Sequence, residues 1–173
     1  MAQTTFSGPV LSQNGAGFLG SIVPGLTGLT PTTVATATTL TYAKNVITVN
    51  NFTGAAAQTV TLPKAEAGVI VIHAQSVDTT GGTAKLIFDC AGTDVLATGS
   101  VVESRTTNAV SFDTSTAGET RLEYTPANAV TNLFSIGSYI YFSCAQDGIW
   151  TVNFKMSMNP ASTGVTGTFA FAA

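Results

Sequence analysis

From Val34 to the C-terminus, apolar and polar residues alternate at every second position in run after run, and no stretch keeps a helical period for three turns. A period of two places successive side chains on opposite faces of an extended chain. The runs include TVATATTLTYA, NVITVNNF, QTVTLP, AKLIFDC, AVSFDT, TRLEYT, SYIYFSC, IWTVNFKM and GTFAFAA. Between them lie turn-forming clusters such as DTTGG, AGTD, STAGE, AQDG and NPASTG. About ten short strands with a turn every eight to twelve residues predict an all-β fold, an antiparallel β-sandwich of jelly-roll type. GVIVIHAQ is continuously apolar and reads as a strand covered on both faces. The two short helix candidates are Lys64 to Ala67 and Pro126 to Leu133.

The alternation also names the core. Ile140, Phe142 and Cys144 fall on one face of their strand, with Tyr139 and Tyr141 on the other. Trp150, Val152, Phe154 and Met156 share a face of the next strand, and the short AQDG turn between the two runs predicts a hairpin.

Residues 1–32 differ from the body, which is taken as 33–173. The first thirty residues carry no charge and are broken by Gly and Pro, yet they hold Phe6, Val10, Leu11, Phe18, Leu19, Ile22, Val23, Leu26 and Leu29. A disordered tail is usually poorer in such residues and richer in charge. The segment is therefore expected to be an extended arm that lies on a partner. Phe6, Val10, Phe18 and Leu19 are its candidate contacts.

Composition bears on what surrounds the fold. Charged residues are 9% of the chain, against about 25% in an ordinary soluble domain. Thirty Thr and 23 Ala residues take much of their place. With so little charge to keep copies apart, the chain is expected to be buried in an assembly. The six cations are scattered singly, which argues against nucleic acid as a partner. No apolar run is long enough to span a bilayer, and the first residues do not read as a secretory signal.

Catalytic chemistry is sparse. His73 is the sole imidazole, and it sits in a strand expected to be buried. Cys90 and Cys144 form no CxxC and have no cationic neighbours, so they read as buried, reduced thiols. There is no phosphate-binding glycine loop, nucleophile elbow or zinc-protease motif. The chain is expected not to be an enzyme, with no catalytic residues, metal or cofactor.

Three stretches carry a resemblance: TTFSGPVLSQNG at 4–15, QTVTLPKAEAGVIVIHA at 58–74, and GIWTVNFKM followed by GTFAFAA. Together they resemble virion structural proteins of tailed bacteriophages, particularly phages of cyanobacteria, and within these the capsid decoration or cement proteins. The resemblance covers about a third of the chain and rests on composition-rich motifs. It implies a homotrimer on the outer face of the phage capsid, made in the host bacterial cytoplasm and bound to the major capsid protein. It places Phe6, Gly8, Pro9, Val10 and Asn14 in a capsid-contacting arm; the stretch from Gly15 to Thr30 is longer and more apolar than such a leader. A phage tail, fibre or head-fibre component is the alternative role.

A carbohydrate-binding module is a further alternative, with a host-surface glycan as partner and Tyr42, Tyr124, Tyr139 and Tyr141 as its aromatics. Tyr139 and Tyr141 are otherwise expected at an oligomer interface. Phe169 and Phe171, on one face of an uncharged terminal strand, are placed either at that interface or inside the sandwich of their own chain.

Overall fold

The computed structural model describes residues 31–32, 38–79, 82–106, 109–126, 134–157 and 167–173. Among these the fold is all-β, two sheets packed face to face. The six-stranded sheet contains β1 (Pro31–Thr32), β3 (Val46–Asn50), β5 (Ile70–Gln75), β11 (Tyr139–Gln146), β12 (Ile149–Lys155) and β7 (Val95–Leu96), in that order. The seven-stranded sheet runs β2 (Thr38–Thr41), β4 (Gln58–Thr61), β6 (Leu86–Asp89), β10 (Arg121–Pro126), β13 (Gly167–Ala172), β8 (Val101–Thr106) and β9 (Ala109–Thr114).

The chain enters these sheets alternately. From β1 to β7 each strand lies in the sheet opposite its predecessor, and up to β6 strands two apart become neighbours and run parallel. β1–β3, β3–β5, β2–β4 and β4–β6 all pair this way. Parallel neighbours need a crossover, and here a strand of the other sheet supplies it in place of a helix. The second half is antiparallel in β10–β13, β11–β12, β5–β11 and β8–β9, while β7 closes the far edge of the six-stranded sheet parallel to β12. The all-β sandwich expected from the sequence is present, with its first half wound as coils and its sheets mixed rather than wholly antiparallel. Pro31 and Thr32, assigned above to the arm, form an edge strand of the body.

The core lies between the sheets. Val71, Ile140, Phe142 and Trp150 meet Leu86, Phe88, Leu122 and Phe169, all at most 2% exposed. Phe88 and Phe142 touch across the interface with ring centroids 5.1 Å apart. Val152 is buried and Phe154 packs against the cluster, as the alternation of β12 requires. β11 and β12 form the expected hairpin, with a register shift between Ser143 and Gln146. The Lys64–Ala67 stretch is a loop, held by the Asp94 carboxylate, which accepts from Ala65 N–H at 2.6 Å, and by the Asp147 carboxylate, which accepts from Ala67 N–H at 2.8 Å. Residues 127–133 of the second helix candidate lie outside the described residues.

Candidate partner-binding face

The outer faces of the two sheets differ in chemistry. On the seven-stranded sheet, register aligns Thr39, Thr59, Ile87, Glu123 and Ala170 in one row, and Thr41, Thr61, Asp89, Arg121 and Ala172 in the next. Arg121 pairs with Asp89 at 3.0 Å, and Lys85 with Glu123. Hydroxyls and ion pairs suit this part of the face to water, whereas at its β8–β9 end Val101 and Phe112 are exposed.

The six-stranded sheet presents something else. Ile47, Ile72, Tyr141 and Asn153 form one row across β3, β5, β11 and β12, and Val49, Ala74, Tyr139 and Lys155 form the next. Ile70, 46% exposed, starts a third with Ser143 and Thr151. Within these rows Lys155 is the only charged residue. The rings of Tyr139 and Tyr141 lean together with centroids 6.1 Å apart. Tyr offers a large apolar surface with a polar tip at modest entropic cost, which is why it is enriched at protein interfaces. An apolar sheet face rimmed by Asn153 and Lys155 has the make-up of a partner-binding surface.

The run GVIVIHAQ is therefore only half as expected. Val71 and His73 face the core, but Ile70 and Ile72 point outward onto this face. Its continuous apolarity reflects an apolar outer surface as well as a core. Ile47, Val49, Ile70 and Ile72 are the contact candidates that sequence reading missed, because it took that apolar run for a strand covered on both faces.

Tyr139 and Tyr141 fall on the outer face, in line with an interface role. Phe169 and Phe171 do not: at 2% and 7% exposure they are buried in their own chain. Phe169 packs on Tyr124, Phe134 and Phe154. Of the two placements left open for them, the sandwich interior is the one observed, and the interface placement is corrected. The four-tyrosine sugar platform is also corrected, since Tyr42 and Tyr124 are core residues. Phe6, Gly8, Pro9, Val10, Asn14, Phe18 and Leu19 lie outside the described residues.

The polar interior is organised for structure. The Tyr42 hydroxyl and His73 Nδ1 are 2.8 Å apart, and His73 Nε2 lies 3.3 Å from Gln75 Oε1. Asn50 Nδ2 donates both to the Tyr42 oxygen and to Gln58 Oε1. Burial drives the His73 imidazolium pKa down to about 3, so the ring is neutral across the physiological range. The same cause pushes the Cys90 thiol up to about 12, helped by Asp94 and Asp89. A neutral, enclosed imidazole and a thiol that stays protonated are poorly suited to acid–base or nucleophilic work. Among the described residues no group of His, Cys, Asp or Glu is arranged to hold a metal ion, and no helix is long and apolar enough to cross a membrane.

No protein-family model, no curated protein and no solved structure matches this chain.

Proposed function

We propose that the chain is a non-catalytic structural protein that docks onto a neighbouring protein through the outer face of its six-stranded sheet. The observation that carries this reading is the apolar run Ile47, Ile70, Ile72, Tyr139 and Tyr141 across β3, β5 and β11, broken by a single Lys155, where the rows across β2, β4, β6 and β10 of the other sheet carry Thr and ion pairs. Contact across that apolar face removes surface from water at roughly 25 cal/mol per Å² before ordering costs.

The resemblance to phage virion proteins supplies the setting. In that setting the chain is a decoration protein on the outer capsid surface, bound to the major capsid protein, with a trimer as its oligomeric form. Low overall charge supports permanent burial in such an assembly. A tail or fibre position makes similar demands on the surface. Fractionation of virions tests the reading: the protein should travel with DNA-filled heads at a fixed ratio to the shell protein. Travel with purified tails would move it to the alternative role, and absence from particles would overturn the virion reading.

A further inference from the structure

A cleft opens where the chain leaves β7 for β8. β7 runs parallel to β12 for two residues, and the Ala97 N–H continues the ladder by donating to Trp150 C=O at 2.7 Å. The next bond of a parallel ladder would join Ala97 C=O to Val152 N–H. That carbonyl instead accepts from the Ser100 N–H, the Ser100 hydroxyl and the Ser115 hydroxyl, at 3.2, 2.9 and 2.6 Å. The turn 97–100, with Gly99 at φ +84°, thus bends off β12 toward the other sheet, where Val101 starts β8. Gly99 N–H donates to Ser115 C=O, and Ser115 N–H to Ser100 C=O, so the turn is tied to the end of β9. Between this turn and residues 151–154 of β12 lies a wedge of about 500 Å³. Backbone bonds hold both walls, so the wedge is shaped before anything enters it.

None of the nine residues that line the wedge is ionisable. A charged ligand would leave water there without meeting a counter-charge. A wholly apolar one would strip water from Thr98, Ser100, Thr151 and Asn153 and return no hydrogen bond. Those four side chains offer three hydroxyls and an amide. Because Trp150 C=O points to the β7 side of β12, alternation aims the Val152 N–H into the same wedge. Val101, 50% exposed, and half-buried Phe154, packed on Phe169, add two apolar patches. We propose that the wedge binds a neutral saccharide. Its hydroxyls meet the hydroxyl and amide rim, and a C–H face of its ring lies on Val101 and Phe154. The volume falls within the range of about 300–1,000 Å³ in which small ligands are held. The site borders the proposed docking face along Thr151 and Asn153, but the inference stands whether or not that face binds a protein.

Amide-resolved NMR titration of the full-length protein tests this. Maltotriose, lactose, mannotriose and chitotriose serve as neutral probes, sialyllactose as a charged one, and a blocked tripeptide of threonine and valine as the rival ligand. At concentrations up to about 10 mM, at least one neutral sugar should shift the amides of residues 98–101 and 151–154 saturably. Asn153→Ala and Thr98→Val, both at exposed positions, should each weaken that sugar about tenfold while the rest of the spectrum keeps its pattern. The proposal is overturned by the absence of shifts with every neutral sugar, or by shifts confined to other parts of the molecule. Tighter binding of sialyllactose or of the tripeptide at the wedge would overturn it too, as would undiminished sugar binding by both variants.

Discussion

The Tyr42 hydroxyl donates to Nδ1 of His73 across 2.8 Å of buried interior, while His73 Nε2–H donates to Gln75 Oε1. Both ring nitrogens are thereby used by the neutral imidazole. Asn50 and Gln58 extend the chain of bonds from β3 to β4, so one polar network ties the two parallel coils together. A second ring proton would require the Tyr42 O–H to turn away and give up its bond to Nδ1. This geometry agrees with the low basicity that burial imposes.

A pH dependence follows. The unfolded histidine takes a proton near pH 6.5, whereas the folded one does so only near 3. Between those values the unfolded state binds more protons, so stability is full above about pH 6.5 and falls as pH drops toward 3. The slope approaches ~1.4 kcal/mol per pH unit in the middle of the window. Denaturant melts at pH 7 and pH 5, above most carboxylate titration, measure it. His73→Gln should lower stability at pH 7 and flatten the change between the two; an unchanged pH dependence would exclude His73 as its source.

The two thiols should behave differently under the same substitution. Cys144 Sγ lies 3.0 Å from Gln146 C=O and donates to it, so a serine hydroxyl there inherits an acceptor. Cys144→Ser is expected to cost less than about 1 kcal/mol. Cys90 is buried with its thiol pushed up to about 12, and Cys90→Ser brings a hydroxyl into that site at a cost of roughly 1–3 kcal/mol. Urea midpoints of the two variants give the order. Both thiols should also be unoxidised in protein from a reducing cytosol, which an intact-mass measurement without reductant checks.

Local alternation carried the inside–outside assignment well. Ile140, Phe142, Trp150 and Val152 are core residues because period two along β11 and β12 can be read residue by residue. Strand direction was not legible in the same way. QTVT and LIFD have the same alternation whether their neighbours run parallel or antiparallel, and β4 and β6 prove to be parallel. The outward faces were harder still. Ile70 and Ile72 look like core in a one-dimensional pattern, and only the packing of β5 against the second sheet separates them from Val71 and His73. The buried network was invisible because Tyr42, Asn50, Gln58 and Gln75 are spread over four segments, and nothing local marks them as partners of one imidazole.

Gly167 is expected to resist substitution for a reason of close approach. A β-carbon there would stand 2.8 Å from the Tyr124 hydroxyl oxygen and 2.9 Å from its ring. Tyr124 is fully buried, its hydroxyl lies near Thr79 and its ring packs at a tilt against Phe134 and Phe169, so it has little room to yield. Gly167→Ala should destabilise by about 1–3 kcal/mol through overpacking. Pairing it with Tyr124→Phe, which removes the nearest atom, should recover part of the loss in a double-mutant cycle. Strict additivity would show that the clash is not the cause.

Tyr141→Asp and Phe171→Asp should separate surface from core. Tyr141 sits mid-row on the outer face, between Ile72 and Asn153, where a carboxylate stays partly solvated. Its substitution should leave the melting midpoint within a few degrees while introducing a charge into the apolar docking face. Phe171 is 7% exposed and pairs with Leu122, itself fully buried, so a carboxylate there has neither water nor a cation. That variant should lose several kcal/mol and fail to fold cooperatively. Circular dichroism melts establish which variant is folded, and light scattering then reads association. Full-length protein should self-associate at micromolar concentration, and Tyr141→Asp should shift it toward the 17.6 kDa monomer. If Tyr141→Asp is folded and associates as the parent does, the outer face is not the self-contact. If Phe171→Asp instead yields a stable folded monomer, the β13 face is not the core face described here.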